Sequence, residues 1–186
     1  MRISHKHKFI FIAVPKTASF TIRKCLNPHS DIALKIIHGG KAHAKIHEVR
    51  DEYFKNEESK FTNYFKFAFV RNPWDRQVSR FHYHFKDHPE KSFKECFMDS
   101  FTAPTIQSDW LTINEEYCVD FIGRFENLQE DFNIACDKIG IPRQKLPHLN
   151  KSNHKHYTEY YNDETREIVA QKYARDIEYF GYKFGE

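Results

Sequence analysis

The apolar positions of this chain fall into two kinds of pattern. Phe9 to Val14 is a continuous run, Phe-Ile-Phe-Ile-Ala-Val, and Phe65 to Val70 nearly repeats it as Phe-Lys-Phe-Ala-Phe-Val. Continuous rather than alternating apolarity predicts strands buried on both faces, as in a parallel sheet. Helical spacing follows each run. Ser19 to Leu26 predicts a helix with Phe20, Ile22 and Leu26 available for burial, closed by Asn27-Pro28. After the second run, Asn72 offers an N-cap and Pro73 a first helical residue. Trp74, Val78, Phe81 and Phe85 then recur at i, i+4, i+7 and i+11, one apolar face of a helix reaching about Phe85.

The remaining segments are less regular. Residues 29–64 are polar, with a helical stretch at Ile46–Phe54, and Pro89 and Pro104 break up residues 86–117. Val119 to Ile122 reads as a third short strand. Asn127 then caps a helix carrying Leu128, Phe132, Ala135 and Ile139, with Gly140 at its end. A loop over 141–157 leads to a last helix, Asp163 to Ile177, with Val169, Tyr173 and Ile177 on one stripe. Strands alternating with helices predict an α/β fold with a central, mostly parallel sheet flanked by helices. No linker or repeat divides the 186 residues, so a single domain over 1–186 is expected.

Composition narrows the function classes. Hydrophobic residues at 40% and charged ones at 30% exclude a disordered tail protein. No apolar run approaches the roughly 18 residues of a spanning helix, so no integral membrane segment is expected, while peripheral contact with a membrane stays open. A net charge of +3 is too weak to demand nucleic acid but suits an anionic ligand. Cys25, Cys96, Cys118 and Cys136 are scattered without a CxxC pair, which argues against a disulfide framework. The basic start MRISHKHK leads into an apolar run of about six residues, below the h-region of a signal peptide, and no small-residue cleavage site follows. It is read as a strand, and the expected compartment is the cytoplasm.

Two loops carry candidate chemistry. Val14-Pro15-Lys16-Thr17-Ala18-Ser19-Phe20-Thr21 joins a buried strand to a helix. A helix N-terminus presents backbone N–H groups and positive dipole to an anion, and Lys16 adds a compact cation. The placement imitates a P-loop, but the loop lacks the glycines of GxxxxGK[ST], which disfavours an ordinary ATP- or GTP-hydrolysing enzyme. The bland alternative is a plain turn with hydroxyl capping. In Arg71-Asn72-Pro73-Trp74-Asp75-Arg76-Gln77-Val78-Ser79-Arg80-Phe81, an arginine stands at the end of a parallel strand, where ligands bind in open α/β sheets. Its planar fork suits a phosphate, and Ser79 lies about two helical turns on. Alone, an ordinary salt bridge would explain Arg71.

Together the two segments resemble the signature of the sulfotransferases that use 3′-phosphoadenosine 5′-phosphosulfate (PAPS). Pro15-Lys16-Thr17-Ala18-Ser19-Phe20-Thr21 is similar to the family's 5′-phosphosulfate loop, PK(T/S)xxxT, and Arg71 to Phe81 is similar to its 3′-phosphate segment, RNPxxRxxSxF. Phe121-Ile122-Gly123-Arg124-Phe125-Glu126-Asn127-Leu128 and Tyr173 to Tyr182 resemble the carbohydrate O-sulfotransferase branch, of heparan-chondroitin-like Golgi type, so the likeness covers nearly the whole chain. Ala18-Ser19 departs from the Ala-Gly or Gly-Thr of many members. The resemblance implies a three-layer P-loop-like fold. It implies that Lys16 meets the 5′-phosphate and the bridging oxygen of the leaving group. It further implies that Thr17, Ala18, Ser19, Phe20 and Thr21 line the same phosphate and that Arg71 and Ser79 hold the 3′-phosphate. Lys151 and Ser152 fall where family members close over the nucleotide.

Sulfuryl transfer needs a base for the acceptor hydroxyl. Lys41-Ala42-His43-Ala44-Lys45-Ile46-His47-Glu48 lies between the two cofactor segments, where the heparan-type enzymes carry a catalytic histidine in a similar His-x4-Glu setting. His43 with Glu48 matches, with His38 and His47 as rivals, and three solvated histidines as the plain reading. His43 and His47 also stand at i, i+4, a spacing known in metal pairs, but no third ligand follows and no metal is expected. The resulting expectation is a PAPS-dependent O-sulfotransferase acting on a carbohydrate or glycolipid, with Lys16 and His43 catalytic. The rivals are a small P-loop-like kinase using ATP and a non-catalytic nucleotide- or polyanion-binding module.

Overall fold

A computed structural model describes residues 1–32, 43–85, 92–95, 106–147 and 155–186. These residues form two compact units, one of Met1–Val70 and Gln107–Leu149, the other of Arg71–Ile106 and Asn150–Glu186.

The first unit is built on a four-stranded sheet in the order β1-β2-β3-β6. The strands are β1 (Arg2–Ser4), β2 (Phe9–Ile12), β3 (Phe65–Val70) and β6 (Phe121–Arg124). β2, β3 and β6 run parallel, as continuous apolarity predicts, and β1 pairs antiparallel with β2. What reads as one N-terminal strand is therefore a hairpin, its polar turn carrying His5 to Lys8. Phe9 and Phe11 of β2 pair with Phe65 and Phe67 of β3, so the aromatic side chains share one face. Helices α1 (Ser19–Leu26) and α5 (Leu128–Ile139) cover it, burying Ile22, Leu26, Phe132, Ala135 and Ile139 against these rings. On the opposite face Ile10, Ile12, Ala68 and Val70 are buried as well. In the β3–β6 register Phe69 faces Gly123, and a Cβ on Gly123 would stand within 2.8 Å of three Phe69 ring carbons. Glycine is what lets that ring lie across the sheet.

Helices α2 (Ile46–Tyr53) and α3 (Glu58–Asn63) precede β3. The second escapes a periodicity reading because only Phe61 of it is buried. Its end is fixed by a side chain from the next strand. The Lys66 ammonium, in the middle of an apolar run, donates to the carbonyls of Phe61, Thr62 and Tyr64 and lies 3.2 Å from Asp120. The third strand begins at Phe121 rather than Val119. A two-stranded hairpin, β4 (Thr112–Ile113) and β5 (Glu116–Tyr117), turns just ahead of it through Asn114 and Glu115, both at positive φ. Asn127 stands at the N-cap of α5 without a side-chain capping bond, and its Nδ2 donates to Asp131.

The second unit contains α4 (Pro73–His84), α6 (Asp163–Lys172) and α7 (Ala174–Phe180). Asn72 caps α4 by accepting from Trp74 N–H, with Pro73 as first helical residue. The apolar stripe of Trp74, Val78 and Phe81 packs with Phe93, Tyr157, Val169 and Tyr173. The last helix of the sequence reading is two helices, broken at Tyr173 (φ −117°, ψ 21°). Burying Tyr173 in the cluster sets that backbone, which a periodic stripe of apolar residues does not reveal. Arg76 is fully buried, with Tyr173 and Asp176 supplying the nearby groups that favour its charge.

Candidate active site

In the loop between β2 and α1, backbone shape does what glycines do elsewhere. Lys16 has φ 69° and Ala18 φ 58°, both left-handed, while Thr17 between them is not. Alternating φ signs turn successive N–H groups inward into an anion-binding concavity. Each left-handed non-glycine residue costs about 1–2 kcal/mol, which the rest of the fold must offset. The shape is held by Thr17, whose buried hydroxyl donates to the Val14 carbonyl at 3.0 Å. That commits the Thr17 hydroxyl hydrogen to the loop, so toward an anion the hydroxyl can no longer serve as donor. Behind it α1 begins at Ser19 with no side-chain cap and no acidic residue in its first turn. Its positive end is thus not neutralised within the helix. Ser19 and Thr21 are buried and Phe20 turns its ring outward, so Phe20 offers an anion its backbone and not its side chain.

His43 is brought to this loop. Its Nδ1 lies 2.6 Å from the Ala13 carbonyl oxygen, three residues before Lys16. A carbonyl only accepts, so Nδ1 carries the hydrogen and Nε2 presents a lone pair. Burial lowers the imidazole pKa below its ordinary 6.5; the Ala13 hydrogen bond acts in the opposite direction, and the Arg23 guanidinium adds to the lowering. Arg23 is itself buried on α1, with Nε donating to the Ser19 carbonyl. Burial and the Arg23 charge both favour the neutral imidazole, oriented by the Ala13 carbonyl with Nε2 as its basic nitrogen. Glu48 reaches back to accept the Lys45 N–H at 2.7 Å and so fixes the start of α2, while the partner that sets the imidazole is the Ala13 carbonyl. His47 lies inside α2 and His43 ahead of it, so the two do not share a helix face. Among the described residues no group of three His, Cys, Asp or Glu side chains is placed to hold a metal.

In the second unit Arg71 precedes the N-cap of α4, and Asp75 and Ser79 lie four residues apart on one face of that helix. Arg71 Nε donates to Asp75 Oδ2 at 2.7 Å, both side chains being largely buried. Ser79, one turn beyond Asp75, is half-buried. The Asp75 carboxylate thus orients the Arg71 guanidinium, and Ser79 follows one helical turn further along α4.

The profile of the sulfotransferase family matches residues 1–183. The chain belongs to the sulfotransferase family. Human carbohydrate sulfotransferase 9 is 24% identical over 217 residues, covering 94% of this chain and 47% of the human protein, so the chain spans about half the length of that relative. An uncharacterized protein of Archaeoglobus fulgidus is 36% identical over 89 residues, 45% of this chain and 74% of that protein. No solved structure matches.

For a sulfotransferase, the described residues bring Lys16, Thr17, Ala18, Ser19, Phe20, Thr21 and His43 together in the first unit. Arg71 and Ser79 both belong to the second unit. His38, Lys151 and Ser152 lie outside the described residues. Two features had no sequence signal: the Ala13 carbonyl that orients His43, and Trp110, whose ring meets the imidazole edge-on at 6.1 Å.

Proposed function

We propose that this protein transfers the sulfuryl group of PAPS to a hydroxyl of a carbohydrate or glycolipid acceptor by direct in-line displacement, releasing PAP. The observation that carries the reading is the pairing of an anion-shaped loop with a neutral histidine. The imidazole hangs from the same strand end that opens the loop. In that reaction the acceptor oxygen bonds to sulfur as the bond from sulfur to the bridging oxygen breaks. The acceptor's proton passes to His43 Nε2. Negative charge grows on the bridging oxygen, and Lys16 with the N–H groups of the loop and of α1 meets it. Arg71 and Ser79 take the 3′-phosphate, and Lys151 and Ser152 close over the nucleotide. The donor fits the chain's own groups: an uncapped helix end, an inward-turned loop and an oriented guanidinium all favour phosphate oxygens. The name of the human relative supports a carbohydrate acceptor.

A thermal-shift comparison of PAP with ADP and ATP tests the reading, because a ligand of the folded state raises its melting point. PAP should stabilise the protein clearly more than ADP, which has no 3′-phosphate. Arg71→Ala should remove that difference, corresponding to about 10- to 150-fold in affinity for one charge-assisted contact. Equal shifts with PAP and ADP would favour the ATP-dependent kinase. PAP binding without label transfer from radioactive PAPS to a sugar would favour the non-catalytic module.

A further inference from the structure

Trp110 ends a short 3-10 turn, Ser108–Trp110, in the first unit. Its indole stands nearly perpendicular to the His43 ring, at 86°, with centroids 6.1 Å apart. It is half-buried, whereas Trp74, the other tryptophan, is buried in its own helix cluster with Nε1 donating to the Arg166 carbonyl. Among the described residues none accepts from the Trp110 Nε1–H. A partly exposed indole with a donor at its rim, beside a basic nitrogen, is the amphipathic surface that tryptophan presents to a ligand that is apolar on one face and polar at its edge. A pyranose ring has the matching chemistry. Its axial C–H bonds make an apolar face for the indole, and its equatorial hydroxyls extend from the rim, where Nε1–H and His43 Nε2 can each meet one.

We propose that Trp110 is the acceptor platform, selecting a pyranose ring by stacking and holding one rim hydroxyl at His43. The idea rests on the transferase reading for the role of His43, while the stacking itself does not depend on which donor is used. An open-chain polyol has the same hydroxyls but no flat face, so it should bind far more weakly. Aromatic stacking with its buried area corresponds to about a tenfold change in affinity.

The test uses the full chain saturated with PAP and saturation-transfer NMR. The probes are the methyl β-glycosides of glucose, galactose, N-acetylglucosamine, N-acetylgalactosamine and glucuronic acid, with galactitol as the acyclic control. At least one glycoside should receive saturation on its C–H face, and galactitol should not. Trp110→Ala should weaken that glycoside about tenfold, and Trp110→Phe should restore most of the loss. The PAP melting shift should stay unchanged in both variants, which shows that they fold and keep the donor site. Equal glycoside binding by wild type and Trp110→Ala overturns the proposal, and so does the absence of any glycoside signal from wild type. A missing PAP shift with glycoside binding still lost in Trp110→Ala would instead overturn the donor assignment and leave the platform standing.

Discussion

His43 Nδ1–H donates to the Ala13 carbonyl at 2.6 Å, so the backbone at the end of β2 chooses the tautomer of the candidate base. The bond also fixes where Nε2 points. A carboxylate partner would have stabilised imidazolium and raised the pKa; a neutral carbonyl in a buried setting leaves desolvation dominant, and the pKa falls.

The acid limb of kcat/KM should therefore have its midpoint below 6.5. His43→Ala should lower turnover by about 10²–10⁴-fold with PAP binding retained, and His47→Ala should cost much less. A pH–rate profile and the two variants check this; a midpoint above 6.5 would mean that the burial of the ring does not govern its titration. Stability follows the same sign. The unfolded chain binds the proton more readily than the fold does, so this group's contribution is present above pH 6.5 and is lost as pH falls toward the lowered pKa.

Lys16 should act on the transition state more than on the ground state, since charge on the bridging oxygen develops as sulfur leaves. Lys16→Ala is expected to reduce kcat strongly while PAP still raises the melting point. Near-normal turnover in single-turnover assays would reduce the loop to a structural turn.

Gly123→Ala should destabilise the protein by about 1–3 kcal/mol, because the new methyl meets the buried Phe69 ring. Urea unfolding of this variant and of Gly123→Ala/Phe69→Leu distinguishes the cause. If the clash is responsible, Gly123→Ala costs much less in the Phe69→Leu background.

The Gln77 side-chain amide is fully buried in the second unit, and among the described residues neither its Nε2 nor its Oε1 has a hydrogen-bond partner. It sits on the far side of α4 from Asp75 and Ser79, away from the phosphate face. Gln77→Leu should therefore raise stability by about 1–2 kcal/mol with no change in PAP affinity. A loss of stability in the denaturant midpoint would show that the amide is satisfied in solution.

The sequence made the parallel strands legible because both faces of β2 and β3 are buried, leaving apolar runs with little interruption. It placed the ends of α1 and β3 because Leu26 is followed by Asn27-Pro28 and Val70 by Arg71-Asn72, abrupt changes from apolar to polar. It missed α3, which buries a single side chain, and the break at Tyr173, which depends on what that ring packs against. In the candidate site it supplied Lys16 and His43 as residue types in a recognisable order. It could not supply the left-handed conformation of Lys16 and Ala18, since nothing about those residue types requires it. Glu48 shows what spacing alone leaves out: its carboxylate also accepts the Lys45 N–H and so fixes a helix start.

The bond pair between Ile3 and Ile32 acts at a distance from all of this chemistry. β1 is an outer strand, and an outer strand offers its N–H and C=O groups to any other chain. Ile3 N–H donates to Ile32 and Ile32 N–H donates back, so the chain itself covers part of that edge. At the other edge the Arg124 N–H is taken by the Asp131 carboxylate at 2.6 Å. A second molecule pairing at those positions would first have to break those bonds. The same short contacts that finish the fold also protect a phenylalanine-rich sheet from growing into an aggregate.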